Sequence, residues 1–286
     1  GVEMNQAKAI DLYKKSAEQN HPYSQYSLAN YYYEGKDVKQ NYVKAVELYG
    51  KSAEQGLDEA QYSLGVCYSQ GQGVEQSYAE AMEWFLKADA QGNANAQNEL
   101  GKCYYYAYGV EQDYVQAVNY FRKAAEQGHS VAQNYIGNCY YEGKGVEQSF
   151  ELAAEWHAKS AEQGEIGALN DLALSYYLGE GVEQNYEKAI ELWQDAAEKN
   201  NAVSQYYLAK CYYEGKGVDQ DYVVAVEWFT KSSDFGNAEA QNILGLCYYN
   251  ATGVEQNYKM AFECFSKSAE QNNAEAQYNM ANCYYY

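Results

Sequence analysis

The sequence predicts an all-α protein, a right-handed α-solenoid or superhelix of about eight 36-residue helix-turn-helix repeats. Three observations carry that prediction. One motif, reading N-Y-I-G-N-C-Y-Y-E-G-K-G-V-E-Q from Asn134 to Gln148, recurs every 36 residues with no insertion or deletion. Within each copy the apolar residues fall at helical spacing. Helix-starting and helix-stopping residues recur at fixed offsets between copies. A fixed period overrides the one- or two-domain reading that 286 residues would otherwise invite, so residues 1–286 read as a single solenoid.

Aligned on the Gly-Val pair, the units start at Gly1, Asp37, Gly73, Gly109, Gly145, Gly181, Gly217 and Gly253. A turn follows, then Asn41, Ser77, Asp113, Ser149, Asn185, Asp221 or Asn257, each a good N-cap directly before Tyr or Phe. Ser77 with Glu80 has the form of a capping box. The first-type helix that follows carries one apolar stripe, as in Tyr186, Ala189, Ile190, Trp193, Ala196 and Ala197. It stops at residues that tolerate a left-handed conformation, such as Gly56, Gly92 and Gly128, or Asn20 and Asn200.

The second-type helix, as in Ala60 to Tyr68, buries Ala60, Leu64, Cys67 and Tyr68 along one line and ends at a Gly-x-Gly turn such as Gly71 to Gly73. The small residue after its Leu, Gly65 or Gly101 for example, lowers helix propensity and is expected where a neighbouring helix crosses closely. Neither helix can cover its apolar face alone, so the hairpins must stack. The chain starts and ends in mid-repeat. It is therefore expected to be a fragment, opening on an unpaired second-type helix and closing on an unpaired first-type helix.

The pattern A-x-x-x-L-G-x-C-Y-Y-x-G-x-G-V followed by Y-x-x-A-x-x-W-F-x-K-A-A-E-Q-G resembles the Sel-one-like repeat family, a relative of the tetratricopeptide repeats, over residues 1–286. The resemblance implies a superhelix of antiparallel hairpins used as an adaptor or scaffold, with the Leu-Gly helix lining its concave side. The sequence departs from the family's cysteine-rich secreted branch, in which a disulfide ties the two helices of each repeat. Ala53 and Ala60, or Ala125 and Ala132, stand where those cysteines are expected.

Composition narrows the partner. A formal net charge of -20 argues against nucleic acid or an anionic membrane surface, both of which require clustered Lys and Arg, and favours a neutral or basic protein or peptide. No stretch approaches the roughly 18 consecutive apolar residues of a membrane span, so no membrane insertion is expected. Of the seven cysteines, Cys67, Cys103, Cys139, Cys211, Cys247 and Cys283 share one repeat position and Cys264 stands apart. Packed helices sit about 8–10 Å apart, beyond the ~7 Å reach of a disulfide, so these read as buried free thiols. That usage fits a reducing compartment, and a cytoplasmic location is expected.

Catalytic chemistry finds no constellation. His21, His129 and His157 lie in different repeats, and His157 replaces the core aromatic seen at Phe85 or Phe121. The Gly-x-Gly turns lack the Lys-Ser/Thr of a phosphate loop. No enzymatic role, cofactor or metal is therefore expected.

A binding face is better supported. If the second-type helix lines the groove, three rows face it. The first holds Asn98, Asn134, Asn170 and Asn242, with Tyr26, Tyr62, Tyr206 and Tyr278 between them. In the second are Lys102, Asn138, Leu174, Lys210 and Leu246, and in the third Tyr105, Tyr141, Tyr177, Tyr213, Tyr249 and Tyr285. Tyr occurs 35 times, too often to be core alone, and offers amphipathic contact area, while Asn can donate to and accept from a peptide backbone. Packing of the third-row Tyr between repeats competes with this reading. The fifth second-type helix carries Leu169 in place of the usual Gln, and Leu174 and Leu178 one turn apart, a candidate apolar anchor. The resulting expectation is a protein–protein interaction scaffold that binds an extended or helical segment. Two alternatives stand beside it: a regulatory or targeting region of a larger enzyme, and a module that self-associates end to end through uncapped terminal helices.

Overall fold

The computed structural model describes residues 6–285, and helices are its only regular secondary structure. Gly1, the expected start of the first unit, and the side chain of Tyr285 lie outside the described residues. The chain forms two compact units, Gly1–Gln148 and Ser149–Tyr286. Unit one holds α1 (Gln6–Glu18), α2 (Pro22–Glu34), α3 (Tyr42–Glu54), α4 (Asp58–Gln70), α5 (Tyr78–Asp89), α6 (Ala94–Tyr106), α7 (Tyr114–Glu126) and α8 (Ser130–Glu142). Unit two holds α9 (Phe150–Ala161), α10 (Ile166–Leu178), α11 (Tyr186–Glu198), α12 (Ala202–Glu214), α13 (Tyr222–Asp234), α14 (Ala238–Asn250), α15 (Tyr258–Glu270) and α16 (Ala274–Tyr285).

Odd-numbered helices are of the first type and even-numbered ones of the second. Each packs on its chain neighbours within its unit, which is the contact pattern of an α-solenoid. The end helices differ from expectation. The first described helix, α1, is of the first type and packs on α2, while α16 is of the second type and packs on α15. The Gly-Val pair sets this phase, because the helix following it is a first-type helix, whose stripe packs on the second-type helices before and after it in the unit.

Local chemistry explains the regular helix lengths. The side chains of Asn41, Ser77, Asp113, Asn185 and Asn257 accept from the backbone N–H three residues on, as an N-cap requires. Second-type helices are capped as well, by Asn93, Asn201 and Asn237, and by the Nδ1 of His21 and His129. At their other end the glutamine of the Val-Glu-Gln or Val-Asp-Gln segment reaches back. Gln112 Nε2 donates to the Tyr105 carbonyl at 2.8 Å, and Gln76, Gln184, Gln220 and Gln256 repeat the bond. It satisfies a carbonyl that the helix end leaves open.

The core is a row of aromatics, Phe85, Phe121, Trp193, Phe229 and Phe265, all nearly inaccessible to solvent. Gly101 explains itself here: a Cβ on it would lie 2.5 Å from the Phe121 ring. His157 is 1 % exposed and takes the place of a core aromatic, as the sequence implies. Cys67, Cys103, Cys139, Cys211, Cys247 and Cys264 are buried free thiols and Cys283 is half-buried.

Candidate functional site: the rows on the second-type helices

The predicted site residues lie on α6 and α8 in unit one and on α10, α12 and α14 in unit two, and the structure sorts them by role. The first row is less open than expected. Asn98 is 3 % exposed and Asn242 2 % exposed, so neither presents its side chain to a ligand. Asn242 Nδ2 donates to Glu275 Oε2 at 3.2 Å and its Oδ1 accepts from Asn279 Nδ2 at 2.9 Å, one repeat ahead. Asn98 Nδ2 donates to its neighbour Glu99 at 3.1 Å, while its buried Oδ1 has no hydrogen-bond partner among the described residues. Asn170 is half-buried, and its Oδ1 accepts from Trp193 Nε1 at 3.2 Å and from Ser204 Oγ at 3.3 Å. The cause is geometric. This position points at the next hairpin of the unit, and an amide buried there needs partners of its own. Asn134 remains half-buried on α8, and its Oδ1 is enclosed with no hydrogen-bond donor among the described residues.

The third row packs between repeats. Tyr105 and Tyr177 are buried, while Tyr141, Tyr213 and Tyr249 are half-buried. Tyr105 lies edge-on to Tyr114, with centroids 5.1 Å apart, and Tyr177 to Tyr186 at 5.2 Å. Each hydroxyl is held from the following repeat. Tyr105 donates to Glu142 Oε2 at 3.0 Å and accepts from Lys144 Nζ at 3.1 Å; Tyr177 donates to Glu214 at 3.4 Å and accepts from Lys216 at 3.0 Å. Burial raises the pKa of both phenols, which therefore stay protonated and able to donate.

The second row is half-buried throughout: Lys102, Asn138, Leu174, Lys210 and Leu246. Lys102 Nζ binds Glu99 Oε1 at 2.7 Å, and Lys210 lies 3.9 Å from Glu214. Lys102 is thus closely paired, whereas Glu214 lies nearer to Lys216, at 2.7 Å, than to Lys210. In the fifth second-type helix, Leu169 is 3 % exposed and belongs to the core, Leu174 packs against the Trp193 cluster, and Leu178 alone is open at 45 %. The expected apolar anchor pair reduces to one exposed leucine.

A fourth row, just after the first, escaped the sequence reading: Glu99, Tyr135, Asp171 and Tyr207, all half-buried. Tyr135 stacks on Phe121 at 4.7 Å and Tyr207 on Trp193 at 4.8 Å, so each covers a core ring with its own. The available signal was variability. Ser27, Ser63, Glu99, Tyr135, Asp171, Tyr207, Ile243 and Asn279 share this position, the spread expected where packing does not dictate the side chain.

Among the described residues, no group of three or more His, Cys, Asp or Glu is placed to hold a metal ion, and no helix is long and apolar enough to cross a membrane. A run of antiparallel two-helix units carrying a polar and aromatic strip defines an α-solenoid repeat protein. The Sel1 repeat model matches end to end, at residues 1–21, 22–57, 58–93, 94–129, 130–165, 166–201, 202–237, 238–273 and 274–286, and the chain belongs to the Sel1 repeat family.

Among solved structures, the chain is similar to c5321, described as a protective antigen present in uropathogenic Escherichia coli strains displaying an SLR fold. The TM-score is 0.83 and the identity 36%, over 98% of this chain and 60% of that one. It is also similar to a Sel1 repeat protein from Oxalobacter formigenes, with a TM-score of 0.76 and 33% identity, over 96% of this chain and 80% of that one. The chain thus spans 60% of the length of the E. coli antigen. Comparison with curated proteins gives no match. Sel1 repeat proteins generally serve as protein-interaction scaffolds.

Proposed function

We propose that this chain is a non-catalytic interaction scaffold whose second-type helices bind an extended segment of a neutral or basic partner protein. The observation that carries this is the partly open strip of Asn134, Tyr135 and Asn138 on α8, whose half-buried side chains offer amphipathic contact area and amide groups to the backbone of a bound segment. The net charge of -20 favours partners that are not themselves acidic.

The test is to identify a partner by affinity capture and mass spectrometry, then titrate it calorimetrically against wild type and N134A/N138A. The expected result is at least a tenfold loss of affinity, about 1.4 kcal/mol, with an unchanged circular dichroism spectrum. Equal affinity would overturn the assignment.

A further inference from the structure

In five repeats the second-type helix places a tyrosine ring against the first ring of the next first-type helix. The pairs are Tyr33 on Tyr42, Tyr105 on Tyr114, Tyr177 on Tyr186, Tyr213 on Tyr222 and Tyr249 on Tyr258, with centroids 5.1 to 5.3 Å apart and planes inclined by 67 to 72°. Four of these rings also meet the core aromatic two turns further on: Tyr49, Phe121, Trp193 or Phe229, at 5.4 to 6.3 Å. This is a repeated receptacle for a phenyl ring.

At Ser69 the receptacle has no ring. The serine hydroxyl turns back to donate to the Val66 carbonyl at 2.9 Å. Tyr78 and Phe85, the two rings a tyrosine there would meet, line a cavity of about 420 Å³ together with Ser69, Cys103, Tyr106 and Tyr108. That is within the size of ordinary ligand pockets, roughly 300–1,000 Å³. The mouth also differs. Where Glu142 and Lys144 clamp the hydroxyl of Tyr105, the equivalent positions around Ser69 are Tyr106 and Tyr108, 44 % and 42 % exposed. Tyr108 stacks on Tyr78 at 5.0 Å and on Tyr106 at 5.5 Å, giving the opening an aromatic wall. The charged groups at its edge, Lys102 and Glu99, neutralise each other at 2.7 Å.

We infer that the cavity beside Ser69 in unit one receives one uncharged aromatic side chain, tyrosine or phenylalanine, from the bound segment. The chain itself supplies the precedent, since the same framework holds a tyrosine of its own at equivalent places such as Tyr105 and Tyr177. Aromatic rings gain both apolar burial and edge-to-face contact in such a setting. The inference rests on the binding face proposed above and names what one point of it recognises.

The probe is N-acetyl-tyrosinamide, titrated into the full chain and followed by amide chemical shifts at Ser69, Tyr106 and Tyr108, with N-acetyl-leucinamide as control. The tyrosine derivative is expected to shift these amides and the leucine derivative to bind at least tenfold more weakly. In Ser69→Tyr the chain fills its own cavity, so the variant is expected to unfold at a higher temperature and bind the probe at least tenfold more weakly. Tyr108→Ala, which removes only the outer wall, is expected to weaken binding with the core intact. Equal shifts from both compounds, no shift with wild type, or full binding by Ser69→Tyr would each overturn the inference. A Ser69→Tyr chain that keeps wild-type affinity for the captured partner, while N134A/N138A loses it, would remove the anchor and leave the binding face standing.

Discussion

Gln127 Nε2 donates to Gln97 Oε1 over 2.7 Å, tying the end of α7 to the second helix of the hairpin before it. The bond recurs as Gln55 to Gln25 at 2.7 Å, Gln91 to Gln61 at 2.9 Å and Gln271 to Gln241 at 2.8 Å. The accepting glutamine also donates within its own hairpin, as Gln61 does to the Ala53 carbonyl at 3.2 Å. One buried amide therefore joins three helices. The ladder breaks in two ways. At Leu169 there is no acceptor, and Lys199 replaces the donor and pairs with Asp195 at 2.9 Å instead. At Gln205 the acceptor stays but Phe235 replaces the donor, leaving Gln205 Oε1 buried with no hydrogen bond among the described residues.

Phe235→Gln should restore the missing rung. Phe235 is 57 % exposed, so little burial is lost, and satisfying the Gln205 acceptor should stabilise the chain by about 1 kcal/mol. The opposite change, Gln127→Ala, strands Gln97 Oε1 and should cost about 1–3 kcal/mol. Urea unfolding of both variants beside wild type measures the two effects.

Tyr105→Ala removes a ring packed on Tyr114, Phe121 and Tyr135 and should destabilise by about 3–5 kcal/mol, as large-to-small core changes do. Tyr105→Phe keeps the ring and leaves Glu142 and Lys144 paired at 2.7 Å, so its cost should stay near 1 kcal/mol. Unfolding midpoints of the pair separate ring from hydroxyl.

Burial lowers the pKa of His157 from 6.5 to about 4. The unfolded chain therefore binds a proton that the folded chain resists. The stability contributed by the neutral imidazole is complete above the unfolded value, falls as pH drops from 6.5 towards 4, and is lost below that. His157→Phe, which restores the usual core aromatic, should gain up to about 3 kcal/mol more relative to wild type at pH 4 than at pH 8. Comparing variant with wild type at each pH cancels the carboxylates they share. Thermal unfolding at both pH values checks it.

Burial pushes the thiols of Cys67, Cys103, Cys139 and Cys211 up to about 12, and those of Cys247 and Cys264 up to about 11. Only the half-buried Cys283 should react with a thiol reagent in the native chain, whereas all seven should react in denaturant. A colorimetric thiol count with and without guanidinium decides this.

Much of the fold was legible because the period repeats every signal. The caps at Asn41 or Asp113, the core line at Cys67 and the close crossing at Gly101 each follow from local chemistry that one repeat displays and the others confirm. The site was less legible. Asn98 and Asn242 read as groove residues because helical spacing places them opposite the hairpin core, yet the next hairpin covers that side, and spacing within one helix carries no information about its neighbour. The glutamine ladder was hidden for the same reason, since its partners lie 30 residues apart. Its one visible trace was the joint departure of Leu169 and Lys199. Tyr105 and Tyr177 could be weighed between packing and binding from sequence, but only the contacts with Tyr114 and Tyr186 decide for packing.

The most direct test of the central claim is hydroxyl-radical footprinting of the chain alone and bound to its captured partner. Binding through the second-type helices predicts protection of Tyr106 and Tyr135 in unit one, or of Tyr207 in unit two, with Trp84, Trp156 and Trp228 of the first-type helices unchanged. Protection of those tryptophans with the tyrosines still reactive would contradict it.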